Sequence, residues 1–253
     1  RTACFVGLGL GAAVLATQSS LAAYDTVLIS MHMVQHMLLN MVVPIFLALG
    51  APITLALRTL PRRGRRSLLG VMHSRPVRVL TFPAVAGAIF IANPFVLYFS
   101  GLYEATLRNP VLHDLNHLHF VLVGCLWFWP LLGLDPMPNR VPYPLRMLGA
   151  FATLPFHAFL GVAIMSSTTV LAASWYESLN REWGPGLLED QQVAGGILWV
   201  TGDLVGLVVF AVLFAQWARA SEREAEREDR RLDRLAAAAA AELPRSPADS
   251  QRP

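Results

Sequence analysis

Apolar residues come along this chain in long blocks, without the alternation of a half-buried strand. Six runs are uncharged or nearly so: 2–24, 26–57, 79–103, 115–134, 147–176 and 191–218, the last interrupted once by Asp203. A helix that crosses the hydrocarbon core of a bilayer needs about 20 such residues, and a strand of a membrane barrel about 10 with strict alternation. The pattern therefore predicts an all-α, polytopic membrane helix bundle with six transmembrane helices. Pro44, Pro83, Pro94, Pro130 and Pro155 are expected to kink them, because proline removes an intrahelical hydrogen bond.

The polar segments between the runs set a sidedness. Residues 58–78 carry Arg58, Arg62, Arg63, Arg65, Arg66, Arg75 and Arg78 and no acid. Arginine in short loops marks the cytoplasmic side. The segment with Arg140 and Arg146 falls on that same side. Those around Asp25, around Glu104 and Arg108, and around Glu177, Glu182, Glu189 and Asp190 fall outside. Both visible termini are then cytoplasmic. Residues 1–218 are expected to form the bundle, and 219–253 a charged cytoplasmic helical tail with a disordered end. In that tail arginines and acids alternate, many at helical spacing.

Composition agrees and narrows the class. The chain is 55% hydrophobic and 15% charged, with a mean hydropathy of +0.48, against about 25% charged residues in soluble domains. All 20 basic residues are arginine and lie where a membrane topology puts them, so no nucleic-acid partner is expected. Cys4 and Cys125 sit in different runs with no CxxC pair, which reads as two buried thiols and not as a disulfide.

The chemistry lies in the histidines. Of seven, only His73 falls in the arginine-rich loop. An ionisable side chain inside a membrane is costly unless paired or ligated, which makes each of the others a functional candidate. His32 and His36 share a helix face at i, i+4, flanked by Gln35 and Asn40. His113 and His117 repeat the pair on another run, with Asn116 beside them and Gly124 on the same stripe, where another helix could approach closely. Both helices descend from the outer face, so the two pairs sit at one depth and could supply up to four imidazoles. Met31, Met33 and Met37 add soft donors. Imidazole with thioether favours copper, especially Cu(I); histidine alone also suits zinc. His119 points to roughly the opposite face and is expected to be structural. His157 and Asp203 come out near mid-membrane, where they could form a structural hydrogen bond or a proton or metal relay. The candidate metal ligands are His32, His36, His113, His117, His157 and Met33, supported by Asp203, Asn116 and Gln35, with no catalytic residue.

Four blocks carry a family resemblance: "AYDTVLISMHMVQHMLLNMVVPIFLALGAPITLALR", "HDLNHLHFVLVGCLWFWPLLGLDPMP", "LPFHAFLGVAIM" and "DQQVAGGILWVTGDL". In order, and over about residues 2–217, they resemble the CtaG family of bacterial cytochrome c oxidase assembly proteins. The resemblance implies a multi-pass protein of the bacterial inner (plasma) membrane that matures a heme-copper oxidase by handling copper. It implies that His32, His36, His113, His117 and His157 belong to the functional set. Seven helices are usual in the family, so a first one is expected to precede Arg1; the charged tail lies outside the pattern. The expectation is a copper-binding assembly factor, not an enzyme. It would hold Cu(I) near the outer leaflet, take it from a copper donor protein and pass it to an oxidase subunit. The alternatives are a heme-binding or electron-transfer protein, a copper channel, and an intramembrane zinc hydrolase using Asp203 with Ser166 or Ser167.

Overall fold

The apolar runs fold as helices, and no strand occurs among the described residues. The computed structural model describes residues 2–139 and 141–242, of which 239–242 by backbone alone. Arg1, Arg140 and 243–253, including the Pro/Ser-rich end expected to be disordered, lie outside the described residues. In chain order the helices are α1 (Ala3–Tyr24), α2 (Ile29–Thr59), α3 (Arg62–Met72), α4 (Arg75–Leu80), α5 (Pro83–Tyr98), α6 (Leu102–Arg108), α7 (Pro110–Leu132), α8 (Tyr143–Ser166), α9 (Ala173–Ser178) and α10 (Leu187–Glu242). Five of them (α1, α2, α7, α8 and α10) are long and apolar enough to cross a membrane. A sixth crossing results if α5 and α6, bent by 67°, are taken as one span. The protein is a multi-pass helical membrane protein.

Five helices close a ring. α2 packs on α7, α7 on α5, α5 on α8, α8 on α10, and α10 returns to α2. α1 leans on the outside of α2 and buries only 11% of its most apolar window. Close helix approach holds this ring together. At Gly124 of α7 an added methyl group would run into the Asn40 carbonyl oxygen and the Pro44 ring of α2. That contact presses the two histidine-bearing helices together just beyond the histidines.

Local sequence explains where the helices start, break and stop. Asn109 caps α7, its Oδ1 accepting from the backbone N–H of Val111 at 2.9 Å and of Leu112 at 3.2 Å, with Pro110 in the first turn. α7 stops at Gly133, which takes a left-handed φ of +62°. α2 is broken at Ala51, whose φ of +49° lies in the left-handed region directly before Pro52. Asp135 then caps the resumed helix, accepting from Thr54 N–H at 2.7 Å and Thr54 Oγ1 at 2.6 Å. α1 breaks at Ser19.

The prolines divide into two groups. Pro94, Pro130 and Pro155 lie inside helices. Pro83 kinks nothing: it opens α5, where its missing N–H would have had no helical partner in any case. Pro44 follows a π-helical stretch, Leu38–Val42, a widened turn that falls one turn below His36.

α10 is one continuous helix of 56 residues, so the charged segment from 219 onward is its extension. Arg230–Glu226 at 3.5 Å and Arg231–Glu228 at 3.2 Å are exposed pairs along it. The bundle has a histidine end and an arginine end. α3 and α4, with the arginines of 58–78, lie at the second.

Candidate metal centre

The histidine end is assembled from three segments. α2 brings His32 and His36, α7 brings His113 and His117, and the turn between α1 and α2 brings Asp25. All five residues are 9% exposed or less, and His32 is wholly buried. The rings converge: His32 and His36 are 3.9 Å apart between centroids, His113 and His117 4.4 Å. Across the helices, His32 stacks on His113 at 5.5 Å with an interplanar angle of 12°.

Two ligand sets result. In the first, His32, His36 and His113 each present one ring nitrogen, all within 4.8 Å of one another. In the second, Asp25, His113 and His117 do the same. The Asp25 Oδ2 lies 3.6 Å from His113 Nε2 and 4.0 Å from His117 Nε2.

Hydrogen bonds fix which nitrogens remain available. His32 Nδ1–H donates to the Asp25 backbone carbonyl at 3.2 Å, so Nε2 carries the lone pair. His36 Nδ1–H donates to the Tyr98 hydroxyl at 2.9 Å, and Tyr98 in turn donates to Met33 Sδ at 3.5 Å. His36 Nε2 meets only the Asn116 Nδ2, at 3.4 Å. His117 Nε2–H donates to Gln35 Oε1 at 2.9 Å, while Gln35 Nε2 donates to the Ala16 carbonyl at 2.9 Å. That carbonyl belongs to the last turn of α1 before its break, where carbonyls lack helical partners.

His32 Nε2 and His113 Nε2 are buried and have no hydrogen-bond partner. Buried polar atoms are otherwise nearly always paired, so two orphan imidazole nitrogens in one cluster are the feature that fits a soft metal ion. Burial pushes the Asp25 carboxyl above the ordinary carboxylate range, opposed by His113 and by hydrogen bonds from Gln35 and the Thr26 N–H.

The residues singled out in the sequence do not all gather here. His32, His36, His113 and His117 converge, Gln35 and Asn116 hold two of their rings, and Met33 reaches the cluster through Tyr98. His157 joins neither ligand set. Its helix begins at Tyr143, four residues earlier than the run suggested, and ends at Ser166, so His157 lies just past the middle of the helix. There it lines a small cavity with His36, Met33, Met37 and Asn40. Its Nδ1–H donates to the Thr153 carbonyl of its own helix at 3.1 Å, and Phe90 packs on the ring at 5.6 Å. Asp203 accepts from Trp199 Nε1 at 2.7 Å, and no hydrogen bond to His157 occurs among the described residues. His119 is exposed and donates to Asn93 Oδ1 at 2.7 Å. Cys4 and Cys125 are free thiols.

Sequence reasoning missed Asp25 as a possible ligand, Tyr98 and Tyr103 as walls, and Asp190 as a brace. Tyr103 sits edge-on to His32 at 4.9 Å, its hydroxyl 2.7 Å from that of Tyr176. Asp190, from the first turn of α10, accepts from Ile29 N–H at 2.7 Å and from Ser30 Oγ at 2.5 Å, capping the start of the helix that carries His32 and His36. An acid seven residues before the first histidine was the one signal available for Asp25.

Fold and site together define a multi-pass helical membrane protein with a buried polyhistidine cluster at one end of its bundle. The chain belongs to the cytochrome c oxidase caa3 assembly factor family (Caa3_CtaG), which it matches over residues 1–220. It is 40% identical over 218 residues to uncharacterized proteins of Mycobacterium bovis and Mycobacterium tuberculosis, and 38% identical over 218 residues to one of Mycobacterium leprae. Each match takes in 83% of this chain and 33% of the relative, so the chain spans about a third of the length of these curated relatives. No solved structure matches it.

Proposed function

We propose that this protein binds copper, as Cu(I), in the histidine cluster and delivers it to a heme-copper oxidase subunit during oxidase assembly. The single observation that carries the reading is the pair of buried, unpartnered nitrogens, His32 Nε2 and His113 Nε2, converging with His36 within 4.8 Å. Three imidazoles suit a monovalent soft ion, and a hard cation would want more oxygen than Asp25 alone offers. Membership of an oxidase assembly family supports the recipient. The arginines of 58–78 at the opposite end support an orientation in the plasma membrane with the histidine end outward and both ends of the chain in the cytoplasm.

In this reading the chain's own groups do three things. Tyr98 and the Asp25 carbonyl hold the Nδ1 protons of His36 and His32, which leaves each Nε2 to bind. Phe120, whose ring is 4.3 Å from that of His36, and Tyr103 exclude water from the inner side. The partly open edge at His113 and His117 gives a donor protein or an oxidase subunit access for ligand exchange, so that copper is never released free.

The test is metal analysis of purified protein after anaerobic Cu(I) loading and desalting. The parent is expected to retain copper. The variant with His32, His36, His113 and His117 all replaced by alanine is expected to retain none while eluting as the same folded species. Equal copper in both would end the assignment.

A further inference from the structure

The two ligand sets share one residue, and that sharing has a consequence which rests on the copper reading above. We propose that the centre offers a single Cu(I) ion two mutually exclusive seats joined by His113, and that the ion passes between them by exchanging its other two ligands. The outer seat is Asp25, His113 and His117; the inner seat is His32, His36 and His113.

The side chains grade in exposure from one seat to the other. His117 and His113 are 9% and 8% exposed and Asp25 3%, whereas His36 is 2% and His32 0% exposed. An ion arriving at this end therefore meets His113 and His117 first and reaches His32 and His36 only by going past them. His113 is placed for both. Its Nε2 lies 3.6 Å from the Asp25 carboxylate without a hydrogen bond, and its ring lies face to face with that of His32. Asp25 touches both seats as well, by its carboxylate in the outer and by its backbone carbonyl, which holds His32 Nδ1–H, in the inner.

Gln35 decides which seat the structure displays. His117 Nε2–H is spent on the Gln35 carbonyl, while the Nε2 atoms of His32 and His113 are open. The arrangement is thus set for the inner seat. To serve the outer one, His117 leaves Gln35, gives up its Nε2 proton, takes one at Nδ1, and binds the ion through Nε2. The ion stays Cu(I) throughout, so no electron is needed. With a cation in one seat, a second is disfavoured by charge and by the loss of the His113 lone pair.

The experiment uses the whole chain in lipid nanodiscs with Cu(I) supplied from a coloured chelator complex under anaerobic conditions, read by copper content per chain and by stopped-flow uptake. One ion per folded chain is expected. The Asp25→Asn/His117→Gln double variant is expected to take the ion up about tenfold more slowly than the parent, the scale of losing partners around a metal site. Two ions per parent chain, or unchanged uptake by the double variant, would overturn the two-seat proposal and leave copper binding intact. A folded parent that takes no copper overturns both readings.

Discussion

His36 and His157 are both nearly buried, at 2% and 5% exposure, and they border the same small cavity, yet their surroundings differ in kind. His36 belongs to a set of rings from two helices whose free nitrogens converge. His157 is satisfied by its own helix, through the Thr153 carbonyl, and is otherwise packed by Phe90 and by Gly202 of α10. Burial alone does not separate the two surroundings. What separates them is that the cluster around His36 holds two buried nitrogens without a partner, His32 Nε2 and His113 Nε2.

The comparison can be broken first through the backbone. Gly124→Ala sets a methyl group against the Asn40 carbonyl, where no rotamer gives relief, so it is expected to cost about 3 kcal/mol, the top of the ordinary overpacking range. Gly202→Ala meets Cβ, Cγ and Cδ2 of His157 at 2.8 Å, a looser clash than the approach to the Asn40 carbonyl oxygen at Gly124. Thermal unfolding in one detergent should rank Gly124→Ala clearly below Gly202→Ala; the reverse order would mean that α2 and α7 are not held by that contact. Next come the rings themselves. His32→Ala is expected to weaken Cu(I) binding about 100-fold, roughly 2.7 kcal/mol, and His157→Ala to leave it within about threefold. Chelator competition measures both, and equal losses would place His157 among the ligands. The smallest effect should come from the brace. Asp190→Ala removes the cap of α2 and should cost about 1 kcal/mol in stability, with copper stoichiometry unchanged.

Much of this was legible in the sequence because membrane helices write themselves as long uncharged runs, and because i, i+4 spacing puts His32 with His36 and His113 with His117. The facing of the two pairs was also foreshadowed, since Gly124 lies on the histidine stripe and removes the bulk that would keep α7 away from α2. What stayed hidden depends on chain reversals. Asp25 reaches the cluster only because the chain turns between α1 and α2, and Asp190 reaches Ile29 across 161 residues of sequence. Tyr98 and Tyr103 flank the bend between α5 and α6, which an apolar run from 79 to 103 does not announce. The helix that carries His157 starts at Tyr143, within a stretch that read as loop; there the Arg146 side chain sits over the Tyr143 ring at 5.2 Å.

The Asp190 cap has a mechanical side. At about 1.5 Å per residue, the 56 residues of α10 make a lever roughly 84 Å long. Its first turn is fastened to the first turn of α2 by two hydrogen bonds, with no loop between them to absorb slack. A shift of that first turn itself would be felt, one turn on, at His32.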